Sequence, residues 1–216
     1  MNQDAELRCR CGEVHGRVTN ASPEAVNRIV CYCDDCQAFL HHLGRSDLLD
    51  ARGGTDLVQV APASLSFYRG HERIVGLRLA EKGLYRWYAS CCKTPLGNTL
   101  GPTIPFVGIV VQAFDCGARR PDDVFGKPIG AVQGKYAIGE APEGSMAFPV
   151  RVGLRALGMV LVWRLRGKTW PHPYFDRATR APNRPLATLS PAERQALRAL
   201  CGPHPTARSC VQRDGT

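Results

Sequence analysis

The stretch Cys31-Tyr-Cys33-Asp-Asp-Cys36 puts three thiols into six positions, and Cys9-Arg-Cys11 adds two more upstream. Thiolates at Cys-x-Cys and Cys-x-x-Cys spacing converge easily on one metal ion, whereas disulfides between them would close very small rings. Three cysteines at one turn leave the fourth corner of a tetrahedral zinc ion to water or substrate, the arrangement of a working site. A helix starting there would lower the thiol pKa values and favour thiolates. The same thiols also permit a closed site completed by a distant ligand such as Cys116, or a buried cluster without metal. A second set, Cys9 and Cys11 with the Cys91-Cys92 pair, would staple distant segments in a structural role. Either Cys91 or Cys92 is alternatively a core thiol.

The elements that must position these groups are mostly strands. Residues 14–18 alternate as a strand leaving the Cys9/Cys11 turn, and Ser22-Pro23 opens a short helical turn. A short helix is expected over about 34–43, with Asp34 and Asp35 in its first turn and Gly44 as its stop. Strand patterns follow at 56–62, 64–70 and 74–90, the last folded at Lys82-Gly83, with 91–102 as loop and 104–115 as one long strand. Residues 117–149 read as loop. Helices are expected at about 151–166 and 190–201, the second opened by Ser190, Pro191 and Glu193 in capping-box register. Leu154, Leu157, Leu161 and Leu165 share one face of the first of these helices, which predicts that this face packs on the body.

At 216 residues, 44% of them hydrophobic and 22% charged, the chain can bury a real core. Its N-terminus has no apolar segment of the secretory kind, and no apolar run approaches the roughly 18–20 residues of a membrane span. A soluble, cytoplasmic protein with reduced thiols and no membrane partner is expected. Residues 151–216 hold 12 basic and 3 acidic residues, which is the whole of the net charge of +9.

The blocks Cys9-Arg-Cys11-Gly12, Cys31-Tyr-Cys33-Asp-Asp-Cys36, Ser66-Phe67-Tyr68 and Cys91-Cys92-Lys93-Thr94-Pro95 together resemble the glutathione-dependent formaldehyde-activating enzyme and centromere protein V family. The resemblance covers about residues 5–116. It implies a mainly β, Mss4-like fold of zinc-stapled sheets with a few short helices. It also implies a structural zinc on Cys9, Cys11 and Cys92, and a second, open zinc on Cys31, Cys33 and Cys36 that serves glutathione and its formaldehyde adduct. The family's third block is CxxCG. Here Ala89 stands at its first cysteine and Lys93 at its glycine, with Cys91 positioned to supply the missing ligand from a shifted place.

Three regions are expected: a zinc-binding β domain at 1–120, a loop and helical extension packed on it at 121–202, and a disordered tail at 203–216. The functional expectation is one or two Zn2+ per chain and a carbon–sulfur lyase acting on a small thiol adduct such as S-hydroxymethylglutathione. Cys31, Cys33 and Cys36 are its catalytic centre, and Cys9, Cys11, Cys91 and Cys92 are further metal ligands. The alternative is a non-catalytic zinc module that binds a protein or nucleic acid through the basic third. Nucleic acid is disfavoured, because residues 151–216 lack interleaved basic and aromatic residues. His41 or His42 could be a fourth ligand or base but more often packs or faces solvent. His15, Tyr85, Trp87 and Tyr88 read as structural, and Arg151, Arg155 and Arg166 as a solvated face.

Overall fold

The computed structural model describes residues 4–203. The expected tail at 203–216 therefore lies, apart from Pro203, outside the described residues. In chain order the elements are β1 (Ala5–Arg8), β2 (His15–Val18), β3 (Asn27–Cys31), α1 (Asp34–His42), β4 (Thr55–Val60), β5 (Leu65–Arg69), β6 (Ile74–Arg78), β7 (Tyr85–Ala89) and β8 (Pro95–Thr99). There follow β9 (Val107–Val110), β10 (Phe114–Asp115), α2 (Pro121–Phe125), β11 (Ala131–Val132), α3 (Val150–Leu165), β12 (Leu186–Thr188) and α4 (Pro191–Arg198).

The strands form two sheets, a four-stranded one in the order β10-β1-β2-β5 and an eight-stranded one in the order β11-β3-β4-β9-β8-β7-β6-β12. Pairing is antiparallel except at the two ends of the large sheet, where β11 runs parallel to β3 and β12 parallel to β6. One core contains Leu7, Val18, Trp87, Leu96 and Phe114, drawn from both sheets. A second contains Ile29, Phe39, Leu40, Leu77 and Val110, joining α1 to the large sheet. Strands that serve two cores lose the alternation of a half-exposed strand, and β8 and β9 are buried at every residue.

That double burial explains the main departure from the sequence reading. Residues 95–99, expected as loop, are the central strand β8, although proline, glycine and asparagine are poor strand formers. Tertiary contacts set each residue. Pro95 takes the first position, where no ladder hydrogen bond is lost. Gly97 lies where a Cβ would come within 2.7 Å of the Tyr174 hydroxyl, whose ring stacks on Trp87 at 4.6 Å. Thr99 accepts a hydrogen bond from the Trp87 indole N–H at 3.0 Å.

The expected strand at 104–115 is cut by a 3-10 turn at Val111–Ala113, where the chain leaves the large sheet and enters the small one. Within 117–149, expected as loop, α2 forms and is tied to β3 by Arg28. That guanidinium, 6% exposed, bonds Asp56 at 2.7 Å, Asp122 at 2.7 Å and the Gly126 carbonyl at 2.8 Å. The C-terminal third is not helical alone, because β12 extends the large sheet before α4 begins. Ser190 and Glu193 do form the expected capping box of α4. The leucine face of α3, expected to pack inward, points outward instead: Leu154, Leu157, Leu161 and Leu165 are all more than half exposed.

His172 sits among Trp170, Tyr174 and Phe175, with Nδ1 accepting the Tyr174 N–H at 3.2 Å and Nε2 buried with no partner among the described residues. Burial pushes its pKa down to about 4 from 6.5. Between those values the unfolded chain takes up a proton that the folded one refuses, so stability is full above pH 6.5 and falls as pH drops toward 4. The loss at this one group is about 3 kcal/mol. His172→Asn keeps an acceptor for the Tyr174 N–H but has no proton to take. Urea denaturation between pH 7 and 4 should show a shallower acid slope for this variant than for the wild type; parallel slopes would remove His172 as the cause.

Candidate metal centre

Two turns bring the first sulfur set together. Between β1 and β2 the chain folds back with Cys9 N–H donating to the Val14 carbonyl at 3.0 Å and Gly12 N–H to the Cys9 carbonyl at 2.9 Å. Val14 N–H points at Cys9 Sγ at 3.2 Å, a contact that offsets part of the burial that pushes this thiol up. Between β7 and β8, Lys93 N–H donates to the Ala89 carbonyl at 2.8 Å and Ala89 N–H to that of Thr94 at 2.9 Å. Because β1 belongs to the small sheet and β7 to the large one, sulfurs at these turns join the two sheets.

Cys11 Sγ lies 3.5 Å from Cys9 Sγ and 3.3 Å from Cys91 Sγ, Cys9 and Cys91 are 3.9 Å apart, and so are Cys91 and Cys92. All four sulfurs are within 4.8 Å of one another and none is in a disulfide. A tetrahedron with Zn–S bonds of about 2.3 Å has edges near 3.8 Å, so the set fits one tetrahedral ion. The adjacent pair Cys91-Cys92 thus reaches the position that Ala89 cannot serve; the Ala89 methyl is buried on β7 in register with Ile74. Lys93 adopts φ +58°, the left-handed conformation that glycine enters freely.

The second set lies at the junction of β3 and α1. Cys31 ends the strand, Cys33 caps the helix, and Cys36 sits in its first turn. Cys33 Sγ accepts the Cys36 N–H at 3.3 Å, the role usually taken by a serine or aspartate oxygen. The three sulfurs are within 4.8 Å of one another, and among the described residues no histidine, carboxylate or further cysteine joins them. The observed helix and its Gly44 stop at φ +65° follow the sequence reading within a residue.

Behind this set lies Arg86 of β7, 1% exposed. Its Nη1 is 4.0 Å from Cys36 Sγ and donates to Asn98 Oδ1 at 3.3 Å, while Nη2 is buried with no partner among the described residues. A guanidinium out of water needs a compensating anion, and the nearest source is sulfur. The thiols answer accordingly. Hydrogen bonds from Cys31 and Cys33, then the charge of Arg86, hold Cys36 well below the usual thiol range. Cys31 and Cys36 push Cys33 up. In the other set burial opposes ionisation of Cys92, yet the Thr94 hydroxyl and the Cys11 N–H bring it down to about 6.

The remaining candidates stand apart. His41 and His42 join neither sulfur set, and His15 Nε2 pairs with the Gly12 carbonyl at 2.9 Å. Cys116 packs against the first core, away from both clusters, and so is not the distant fourth ligand considered from the sequence. Asp34 and Asp35 are paired with Arg198 and Arg194 of α4, the latter at 3.0 Å, so α4 is held against the first turn of α1. Sequence reasoning missed Arg86 and Thr94. Arg86 lies between Tyr85 and Trp87 on a strand buried on both faces, where period-two alternation carries no signal.

Two substitutions test these roles. Arg86→Met should lower the affinity of the three-cysteine set for Co2+ roughly tenfold or more, with Arg86→Lys intermediate. Chelator competition read from thiolate charge-transfer bands measures it, and equal affinities in all three proteins would remove Arg86 from the site. Lys93→Gly should raise the unfolding free energy by about 0.5–1 kcal/mol through relief of the left-handed backbone, and a drop in melting temperature would contradict that.

No curated protein matches the sequence. Among solved structures, a crystal structure of a Rhodobacter sphaeroides protein is similar at 17% identity and a TM-score of 0.38, over 58% of this chain and 98% of that one. The profile of a family of unknown function, DUF6151, matches residues 1–183, a span that takes in both cysteine sets, both sheets apart from β12, and helix α3. The chain, with two clusters of cysteine sulfur that could hold metal ions, belongs to the DUF6151 family.

Proposed function

We propose that this protein is a zinc-dependent enzyme of carbon–sulfur chemistry, a divergent branch of the glutathione-dependent formaldehyde-activating and centromere protein V type with an Mss4-like fold. Its substrate is a small thiol adduct such as S-hydroxymethylglutathione. The observation that carries this reading is the grouping of Cys31, Cys33 and Cys36 within 4.8 Å, with a buried guanidinium behind them and no fourth protein ligand among the described residues. Four sulfurs in one set and three in the other suit zinc, which prefers soft donors in tetrahedral array and uses three protein ligands where it works.

Zinc held there supplies a soft Lewis acid for the substrate sulfur. The chain's own residues prepare the place. Three thiolates around a divalent ion leave a net charge of about −1, which would repel an incoming thiolate. Arg86 offsets that charge from the buried side. Arg194 and Arg198 neutralise Asp34 and Asp35, so the helix start adds no further negative charge beside the sulfurs. In cleavage of a hydroxymethyl thioether the carbon–sulfur bond breaks with its electron pair staying on sulfur, and the hydroxyl proton leaves as the aldehyde forms. The four-cysteine set has a structural role and holds the sheets together.

Protein purified without added metal should contain zinc, up to two ions per chain, released as pH falls and protons compete for the thiolates. Cys92→Ser should lower the melting temperature more than Cys31→Ser, because it opens a staple between sheets; equal small losses would remove the four-cysteine ion. In Co2+-loaded protein, millimolar glutathione or its formaldehyde adduct should shift the charge-transfer bands of the wild type but not of Cys36→Ser. A three-cysteine set already showing four sulfur ligands and unmoved by thiols would be closed, and the protein would then be a non-catalytic zinc module.

A further inference from the structure

Helix α3 is apolar on two opposite sides. At 100° per residue, Val152, Met159 and Trp163 fall on one side, where Val152 is 2% exposed and the other two are partly buried. Val150, Leu154, Leu157, Leu161 and Leu165 fall within an arc of roughly 80° on the side facing away from the body. They are between 54% and 78% exposed. A helix that is hydrophobic all round belongs in a buried setting, so the outer ridge is unfinished in the isolated chain. Residues 204–216 offer little apolar surface of their own, with Ala207 and Val211 as their only aliphatic side chains.

Charge selects the occupant. From residue 144 to 175 the chain carries five basic residues and no acidic one. Arg151 and Arg164 border the ridge on its two edges. Beyond Arg151 a cleft of about 390 Å3 opens between α3 and the body, lined by Arg155, Arg166, Lys168 and Trp163 with Glu24 opposite. Pairing this helix with a second copy would gather arginines from both chains along one seam without a carboxylate from either helix, whereas self-paired helices carry complementary flanks. An anionic bilayer offers both things the surface lacks, hydrocarbon for the leucines and phosphate for the basic edges.

We propose that α3 docks the protein on anionic phospholipid membranes, lying parallel to the surface with its leucine ridge in the acyl boundary and Arg151 and Arg166 among the headgroups, Arg155 and Arg164 being tied to backbone carbonyls of the body. The contact is peripheral; among the described residues no helix is long and apolar enough to cross a membrane. It is independent of the metal reading.

The test is sedimentation of the full chain with large vesicles of phosphatidylglycerol and phosphatidylcholine in equal parts, against phosphatidylcholine alone. Wild-type protein should pellet with the anionic vesicles, less so as salt rises, and stay in solution with the neutral ones. Leu157→Asp/Leu161→Asp should cut the bound fraction roughly tenfold while melting at the wild-type temperature, since both side chains are exposed. Arg151→Glu/Arg166→Glu should weaken binding and flatten its salt dependence. Absence of binding to anionic vesicles overturns the proposal. So does a wild-type dimer in solution that Leu157→Asp/Leu161→Asp splits and that shows no lipid binding; the ridge would then be a self-association surface.

Discussion

A guanidinium sealed from water beside Cys36 of the three-cysteine set governs how the large sheet and its helix are put together. A buried guanidinium costs least with negative charge beside it, and Arg86, with Nη1 4.0 Å from Cys36 Sγ, in turn favours the thiolate form there. Satisfying both requires β7 to pass under the start of α1, with Asn98 of β8 fixing the guanidinium plane and Phe39 of α1 offering its ring face at 5.2 Å. The centre of the sheet, the position of α1 and the charge state of the cysteines are thus one coupled arrangement. A hydrophobic residue at 86 would pack as well, but it would leave the sulfur set to balance its own charge.

The four-cysteine set does different work. It lies at two hairpin ends that belong to different sheets, where the core alone gives little purchase because the turns are half exposed. Sulfur converging there replaces a hydrophobic contact that the turns are too small to make. The aromatic block of Trp87, Tyr174, Phe175 and Tyr85 takes over further along the same strands, with Tyr174 Oη donating to the Leu96 carbonyl at 2.8 Å. Tyr174 and Phe175, from the C-terminal third, are therefore part of the body's core, with Trp170 packed against it.

The C-terminal third meets the body in two unlike ways. Helix α4 is held by ion pairs to Asp34 and Asp35 and by Gly202 N–H donating to the buried amide of Gln37 at 2.8 Å, close to the three-cysteine set. Helix α3 is held by Val152, by Trp163 and by Arg155 donating to the carbonyls of Pro23 and Val26, leaving its leucines outward. One segment completes the surroundings of the site and the other presents a surface.

By itself the sequence determined the Cys31/Cys33/Cys36 cluster, the helix over 34–42, the hairpin at Lys82-Gly83 and the capped helix at 191–198, because each rests on local spacing or local hydrogen bonding. Cys-x-Cys and Cys-x-x-Cys geometry is fixed by a few bonds of backbone, and a capping box by four residues. Tertiary structure alone decided that Cys91 and Cys92 meet Cys9 and Cys11, since that depends on two turns some 80 residues apart coming together. It also decided that Pro95–Thr99 is a central strand, where packing against Tyr174 and Trp87 outweighs propensity. Only it could place Arg86 against sulfur, since a strand covered on both faces has no polar side to read. The outward turn of the α3 leucines is of the same kind. Periodicity shows that a helix has an apolar face, but which of two apolar faces meets the body is decided by the shape of the surface it lands on.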